Sequence, residues 1–229
     1  AGRAFEQVRN SIGYPHLHVV IGATHAGMSV GEDGATHQCN EDLALMRAIP
    51  GMTVIVPADD VEAKAAVRAA YEAEGPVYVR LGRLPVPVIH KDDYHFELGR
   101  GIVEREGSDV TVVACGLEVS AALEAAKMLA AKGVSCEVIN MATIKPIDEE
   151  LVIRAAKECG RIITVEEHNI LGGLGEAVAG VTAEHAPAPV HRIGVRDEFG
   201  HSGPAVELLK QFGLTAEHIA AQTKDFVQK

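Results

Sequence analysis

The sequence predicts an α/β protein made of two three-layer α/β/α domains with mainly parallel sheets. Short β-branched and apolar runs recur along the chain, each followed by a segment whose apolar residues stand three and four apart. Strand and helix therefore alternate, the order that lays helices over the faces of a parallel sheet. The alternation breaks once, at 84–97, where two prolines and the Lys91-Asp92-Asp93 turn carry no sustained period. That stretch reads as a linker between a first domain at 1–83 and a second at 98–229. His90 and His95 lie in it and read as solvated.

The first segment opens with helical spacing from Arg3 to Tyr14, with Phe5, Val8 and Ile12 on one face. No Ser, Thr, Asp or Asn stands before it as a cap, so the N-terminus reads as a cut end. His16 to Thr24 reads as a buried strand, and a glycine-rich loop follows. Asn40 is placed to cap a helix running to Arg47. Pro50-Gly51 turns the chain into a strand at Thr53–Val56. Asp59 and Glu62 have the spacing of a capping box for the next helix, which ends near Gly75-Pro76. Val77–Leu81 is the third strand.

In the second segment, Val110–Cys115 is a strand, and Val119, Ala122, Leu123, Ala126 and Leu129 mark a helix closed by Gly133. Ser135–Met141 is a strand, and Asp148 caps a helix carrying Leu151, Ala155 and Cys159. Arg161–Val165, Gly175–Glu184 and Val190–Val195 continue as strand, helix and strand. Two short helices, near Pro204–Phe212 and Thr215–Phe226, finish the chain.

Composition narrows the function classes. A formal charge of −11 leaves no broad cationic face for a phosphate backbone, which argues against nucleic acid. No apolar run is long enough to span a bilayer, and no basic-then-apolar signal segment is present. The four cysteines, Cys39, Cys115, Cys136 and Cys159, lack CxxC spacing and read as reduced packing thiols of a cytoplasmic protein.

The densest chemistry lies in Gly31-Glu32-Asp33-Gly34-Ala35-Thr36-His37-Gln38, with His25 six residues before it. A carboxylate and an imidazole on one glycine-bent loop can hold hydroxyls and move protons in carbonyl chemistry. The same residues could equally form a polar turn in which Asp33 bonds its own backbone. His25 at a strand end favours a site, because ligands in open α/β sheets bind beyond the carboxyl ends of strands. Arg80 and Arg83, also at a strand end, fit either a substrate phosphate or the neutralisation of an acid. His16 and His18 have no evident third ligand and read as strand-edge residues rather than a metal site. Gly172-Gly173-Leu174-Gly175 could cradle a phosphate at a helix start, yet it departs from GxGxxG and reads as a tight turn. Glu166, Glu167 and His168 form a polar cluster before it, fitting either a subunit contact or a site.

The strings Thr24-His25, Gly31 to Gln38, Leu45-Met46-Arg47-Ala48-Ile49-Pro50 and Val56-Pro57-Ala58-Asp59 resemble the pyrimidine-binding domain of transketolases. Asp197-Glu198-Phe199-Gly200-His201-Ser202-Gly203 resembles their C-terminal domain. The arrangement is similar to the C-terminal subunit of split, two-gene transketolases. The resemblance implies thiamine diphosphate with Mg²⁺, and transfer of a two-carbon ketol unit from a ketose phosphate to an aldose phosphate, as in the pentose phosphate pathway. It implies that His25 and His37 bond the donor sugar and assist proton movement, that Asp33 holds a sugar hydroxyl, and that Arg83 joins His25 at the sugar phosphate. It also implies an N-terminal transketolase part or subunit, in a homodimer or heterotetramer, with the C-terminal domain serving packing more than chemistry.

The glutamate and aromatic clamp that hold the cofactor's pyrimidine in this family lie upstream of the segment matching Ala1, and the diphosphate and Mg²⁺ sit on a further domain. This chain alone is therefore expected to be inactive, with an incomplete sheet in its first segment. Deoxyxylulose-phosphate synthase, which usually has a second His where Gln38 stands, and 2-oxoacid dehydrogenase β subunits are related alternatives. A non-catalytic dimerisation module is another.

Overall fold

The computed structural model describes residues 1–228. The opening stretch is helical as predicted but uneven, passing from 3-10 bonding at Gly2–Ala4 through α1 (Phe5–Gln7) to π bonding at Val8–Gly13. Val8 is buried, with Phe5 and Ile12 packed beside it. The next prediction is corrected in part. Strand β1 (Val20–Ala23) forms, but Leu17 and Val20 are 48% and 38% exposed. The cause is position: β1 pairs on one side only, at the edge of its sheet.

That sheet has the order β1-β3-β2-β7. Strands β2 (Thr53–Ile55) and β3 (Val77–Arg80) run parallel to β1, with Val20 and Thr53 both facing Val77 in register. Its fourth member, β7 (Thr143–Lys145), comes from the second segment and runs antiparallel to β2. The second sheet has the order β4-β6-β5-β8-β9. Here β5 (Val110–Ala114), β6 (Cys136–Asn140), β8 (Ile162–Asn169) and β9 (Val190–Val195) are parallel, and β4 (Ile102–Arg105) closes one edge antiparallel. Both sheets are thus mostly parallel with one antiparallel edge. The two antiparallel edge strands, β7 and β4, are absent from the predicted set.

The helices follow the predicted order: α2 (Asp42–Arg47), α3 (Asp60–Glu72), α4 (Glu118–Ala130), α5 (Glu149–Glu158), α6 (Leu174–His185), α7 (Ala205–Gln211) and α8 (Ala216–Val227). Asp148 caps α5 as its position predicts, accepting from Leu151 N at 3.0 Å. Asp59 caps α3 through Glu62 N at 2.8 Å, but the Glu62 carboxylate reaches back to Ala58 N rather than to the cap's own amide. Asn40 is not the cap of α2. Glu41 holds that place without a side-chain bond, and the second segment secures both helix ends instead. His168 Nε2 accepts from Ala44 N at 3.5 Å, and Lys145 Nζ donates to the carbonyls of Arg47 and Ile49 at 2.7 and 2.6 Å.

Packing crosses the two segments as freely as pairing does. One core cluster joins Leu43, Met46, Val54 and Tyr78 to Val113, Ile139, Ile144 and Leu174. A second lies between β5, β6, β8 and the helices α4 and α8, through Val112, Val138, Ile163, Ala122 and Ile219. Among the described residues no helix is long and apolar enough to cross a membrane. All four cysteines are free, and Cys115, Cys136 and Cys159 are buried.

The linker is bound down rather than solvated, which corrects the reading of His90 but not of His95, which is exposed. The second oxygen of the Asp59 cap accepts from Ile89 N and His90 N at 2.8 and 2.9 Å. The His90 ring is 5% exposed, 2.9 Å from Glu104 and 3.0 Å from Asp59, and it lies tilted against Tyr94, with ring centroids 4.1 Å apart. Its Nδ1 lies close enough to Asp59 for charge attraction but off hydrogen-bond alignment. Tyr94 OH donates to Glu62 at 2.5 Å, and Asn140 Nδ2 to the same oxygen at 2.9 Å. One polar knot therefore joins α3, the linker, β4 and β6. Burial alone would lower the His90 pKa, but Glu104 and Asp59 outweigh it and raise the value to about 9. A raised folded pKa means the protonated ring stabilises the fold fully below about 6.5, and that contribution is lost as pH rises through about 9. Melting of the protein from pH 6 to pH 10 is expected to show this alkaline loss, and His90→Asn to flatten it; parallel curves for the two proteins would refute the knot's charge.

Candidate active site

The chemistry-bearing loop starts where β1 ends. Leu81 N is bonded to Ala23 O at 2.7 Å, so β1 and β3 finish together, and His25 and Arg83 follow at the carboxyl ends of these neighbouring parallel strands. His25 has a φ of 61°, a left-handed conformation that costs a non-glycine residue about 1 kcal/mol and concentrates at functional sites. Its Nδ1 pairs with Thr24 Oγ1 at 2.9 Å, and the ring is exposed.

Residues Met28–Asp33 form a 3-10 stretch broken at Gly31, where φ is 75°, and Gly34 turns the chain again with a φ of 74°. Gly34 O then accepts from His37 N and Gln38 N at 2.9 and 3.1 Å. A pairing of Ala26 with Cys39, with Gly27 N bonded to Cys39 O at 3.0 Å, closes the base of the loop. Asp33 and His37 stand out of it, both exposed, with His37 Nδ1 against Thr36 Oγ1 at 3.0 Å.

The adjacent polar groups are spent on each other. Arg80 is 4% exposed and donates from Nε to Asp42 at 2.9 Å, while Tyr78 OH donates to the same carboxylate oxygen at 2.7 Å. Arg80 Nη2 goes on to the Glu167 carbonyl at 2.9 Å. Burial alone would raise the Asp42 pKa, but Arg80 and Tyr78 hold it below the usual carboxylate range. The open alternative for Arg80 is thereby resolved: it neutralises an acid within the chain and is closed to a phosphate. Arg83 is exposed and makes no ion pair or hydrogen bond among the described residues.

The cluster Glu166-Glu167-His168 is interior. Glu166 accepts from Leu174 N and Gly175 N at 2.7 and 2.8 Å, so its carboxylate fills the glycine turn that could otherwise have cradled a phosphate. Glu167 Oε1 takes the amide of Ser29 beneath the loop. Burial raises both carboxyls to about 7 and lowers His168 to about 4, leaving that imidazole neutral, with Nδ1 donating to Asn169 O at 2.6 Å. Glu118 is also buried, with neither carboxylate oxygen bonded, and burial with Glu167 nearby pushes its pKa well up. Nothing in its helical spacing marked it beforehand.

A cleft of about 510 Å³ opens beside the loop, lined by His37, Thr36, Asn40, Arg3, Asn169 and the exposed Phe199 among others. That size suits a small polar ligand. His37 lines it, whereas His25, Asp33 and Arg83 do not, so this chain does not gather the four predicted residues in one cavity. His16 packs against Gly51 and Gly75, His18 is paired with Ala70 O at 3.2 Å, and no cluster of three ligating side chains occurs among the described residues.

Residues 1–88 match the pyrimidine binding domain of transketolase, and residues 99–219 match the transketolase C-terminal domain. The chain belongs to the transketolase family. It is 48% identical over its full length to 72% of a Methanocaldococcus jannaschii protein named for a transketolase C-terminal section. It is 40% identical to a 6-deoxy-6-sulfo-D-fructose transketolase subunit of a Clostridium species, with 99% of this chain covering 70% of that protein. A solved structure described as a split gene transketolase in an inactive β4 tetramer superimposes with a TM-score of 0.93 at 52% identity, over 99% of this chain and 73% of that one. The chain is thus the C-terminal part of a split transketolase type, and its family uses thiamine diphosphate.

Replacing Arg80 with Met would leave Asp42 charged, buried and unpaired. The loss of unfolding free energy is expected to be about 3–5 kcal/mol in chemical denaturation, with partial recovery in Asp42→Leu/Arg80→Met. A loss below about 1 kcal/mol would show that the pair bears no such weight.

Proposed function

We propose that this chain supplies the sugar-binding face of a ketol transferase that moves a two-carbon unit from a ketose phosphate to an aldose phosphate. One observation carries the reading: at the carboxyl ends of β1 and β3 the buried Arg80 and Asp42 are engaged with each other, whereas His25, Asp33, His37 and Arg83 are exposed and bonded to nothing beyond an adjacent threonine among the described residues. Two imidazoles there can exchange protons with carbonyl and hydroxyl oxygens of a bound sugar. The Asp33 carboxylate accepts a hydroxyl hydrogen bond, which discriminates between stereoisomers because the wrong one leaves it unpaired. The planar fork of Arg83 suits a phosphate monoester.

The chain's own residues do not fit the diphosphate and Mg²⁺. The glycine turn before α6 is filled by Glu166, Arg80 is committed to Asp42, and no three-ligand cluster exists among the described residues. These groups belong in this proposal to an N-terminal transketolase part, and no chemical step is assigned here through the cofactor. The free edge of β1, with Leu17 and Val20 exposed, supports docking of that part as added strand. The working assembly is a homodimer or heterotetramer in the cytoplasm.

Ketol transfer is expected when this chain is combined with an N-terminal transketolase chain, thiamine diphosphate and Mg²⁺, and not from this chain alone; no transfer from the complete mixture over a panel of ketose and aldose phosphates would overturn the proposal. In that assembly His37→Ala should cut kcat by roughly 10²–10⁴. Asp33→Ala should erode discrimination between sugar stereoisomers more than cofactor affinity, as competition assays with epimeric donors would record.

A further inference from the structure

We infer that Gln38 is a positioning residue through which the 200–205 segment of the C-terminal domain sets the placement of Asp33 and His37. The functional weight of this inference rests on the sugar-binding reading above; its structural content does not. Gln38 is 4% exposed, and its Nε2 donates both to Gly31 O at 3.2 Å and to His201 O at 3.1 Å. One carboxamide thus ties the first turn of the loop to a chain segment far along the sequence. Asp33 lies between the two glycine turns, and the His37 amide hangs from Gly34 O, so both groups inherit the geometry of those turns.

The two surfaces are shaped to each other atom by atom. A Cβ at Gly200 would stand 1.9 Å from Gln38 Oε1, and one at Gly34 would stand 2.4 Å from Ser202 Oγ. At Gly31 it would lie 3.2 Å from the Ala205 Cβ and 3.3 Å from the Gly203 carbonyl. Gln38 Oε1 is itself buried without a donor, so the donor side of the amide alone holds the contact. Leucine is an apolar side chain of similar bulk that branches one carbon earlier and cannot donate, so Gln38→Leu removes the bond at a modest change of volume. On this reading the C-terminal domain acts on the chemistry by holding the loop, not by packing alone.

Two measurements test it. In the chain itself, Gln38→Leu is expected to speed hydrogen exchange at the amides of Gly34, His37 and Gln38 by about tenfold while leaving the β5 amides unchanged, a local opening rather than a global one. In the assembled enzyme the same substitution should lower kcat about tenfold with the KM for thiamine diphosphate unmoved, and should cost little more in a His37→Ala background, because coupled residues are not additive. Gly200→Ala, which displaces the Gln38 carboxamide, should reproduce both effects and serves if Gln38→Leu folds poorly. Unchanged exchange at the loop, or full additivity with His37→Ala, would overturn the inference. Faster loop exchange in Gln38→Leu, together with no ketol transfer from the unaltered assembly, would uphold the positioning role and remove the transferase reading instead.

Discussion

The structure depends on one buried ion pair, Arg80 with Asp42, set where the two segments of the chain meet. Asp42 opens α2, Arg80 ends β3, and its Nη2 reaches the backbone of β8. Neither charge has access to water, so each is tolerable only while the other and Tyr78 are in place. The pair therefore does little for net stability by comparison with an apolar core, but it permits only one arrangement of α2, β3 and β8. The loop carrying Asp33 and His37 hangs between those elements.

That constraint propagates through the backbone of α2. A six-residue helix without its own cap is marginal, and here its free amide and carbonyl ends are taken by His168 and Lys145 from the other segment. The loop before α2 is pressed from the same side, by Glu167 under Ser29 and by residues 200–205 against Gly31 and Gly34. His25, Asp33, His37 and Arg83 remain pointing outward, with no partner beyond an adjacent threonine among the described residues. A chain built this way keeps the exposed side chains of that loop placed through its buried contacts.

Much of this was legible in the sequence. Residue periodicity placed nearly every parallel strand and helix, and the caps Asp59 and Asp148 were found from spacing because a cap bonds within three residues of itself. Glycines at 31 and 34 marked a bent loop, and both do take left-handed φ. The errors have one origin. His90 reads as a loop histidine until Glu104 and Asp59 close around it, and Asn40 reads as a cap until the second segment takes over that task.

By itself the sequence determined the α/β class, the order of its elements, the transketolase family and the loop that carries Asp33 and His37. These follow from local rules, where period, caps and turns act over a few residues, and from strings specific enough to match whole domains. Only the tertiary structure decided that Arg80 is spent on Asp42, that Glu166 occupies the glycine turn, that β7 joins the first sheet and that Gln38 holds the C-terminal segment. Each of the last two contacts joins residues far apart in the chain, Arg80 keeps Asp42 ionised against its burial, and burial shifts Glu166 and His168. Whether a polar side chain is free to meet a substrate is settled by what folds back onto it.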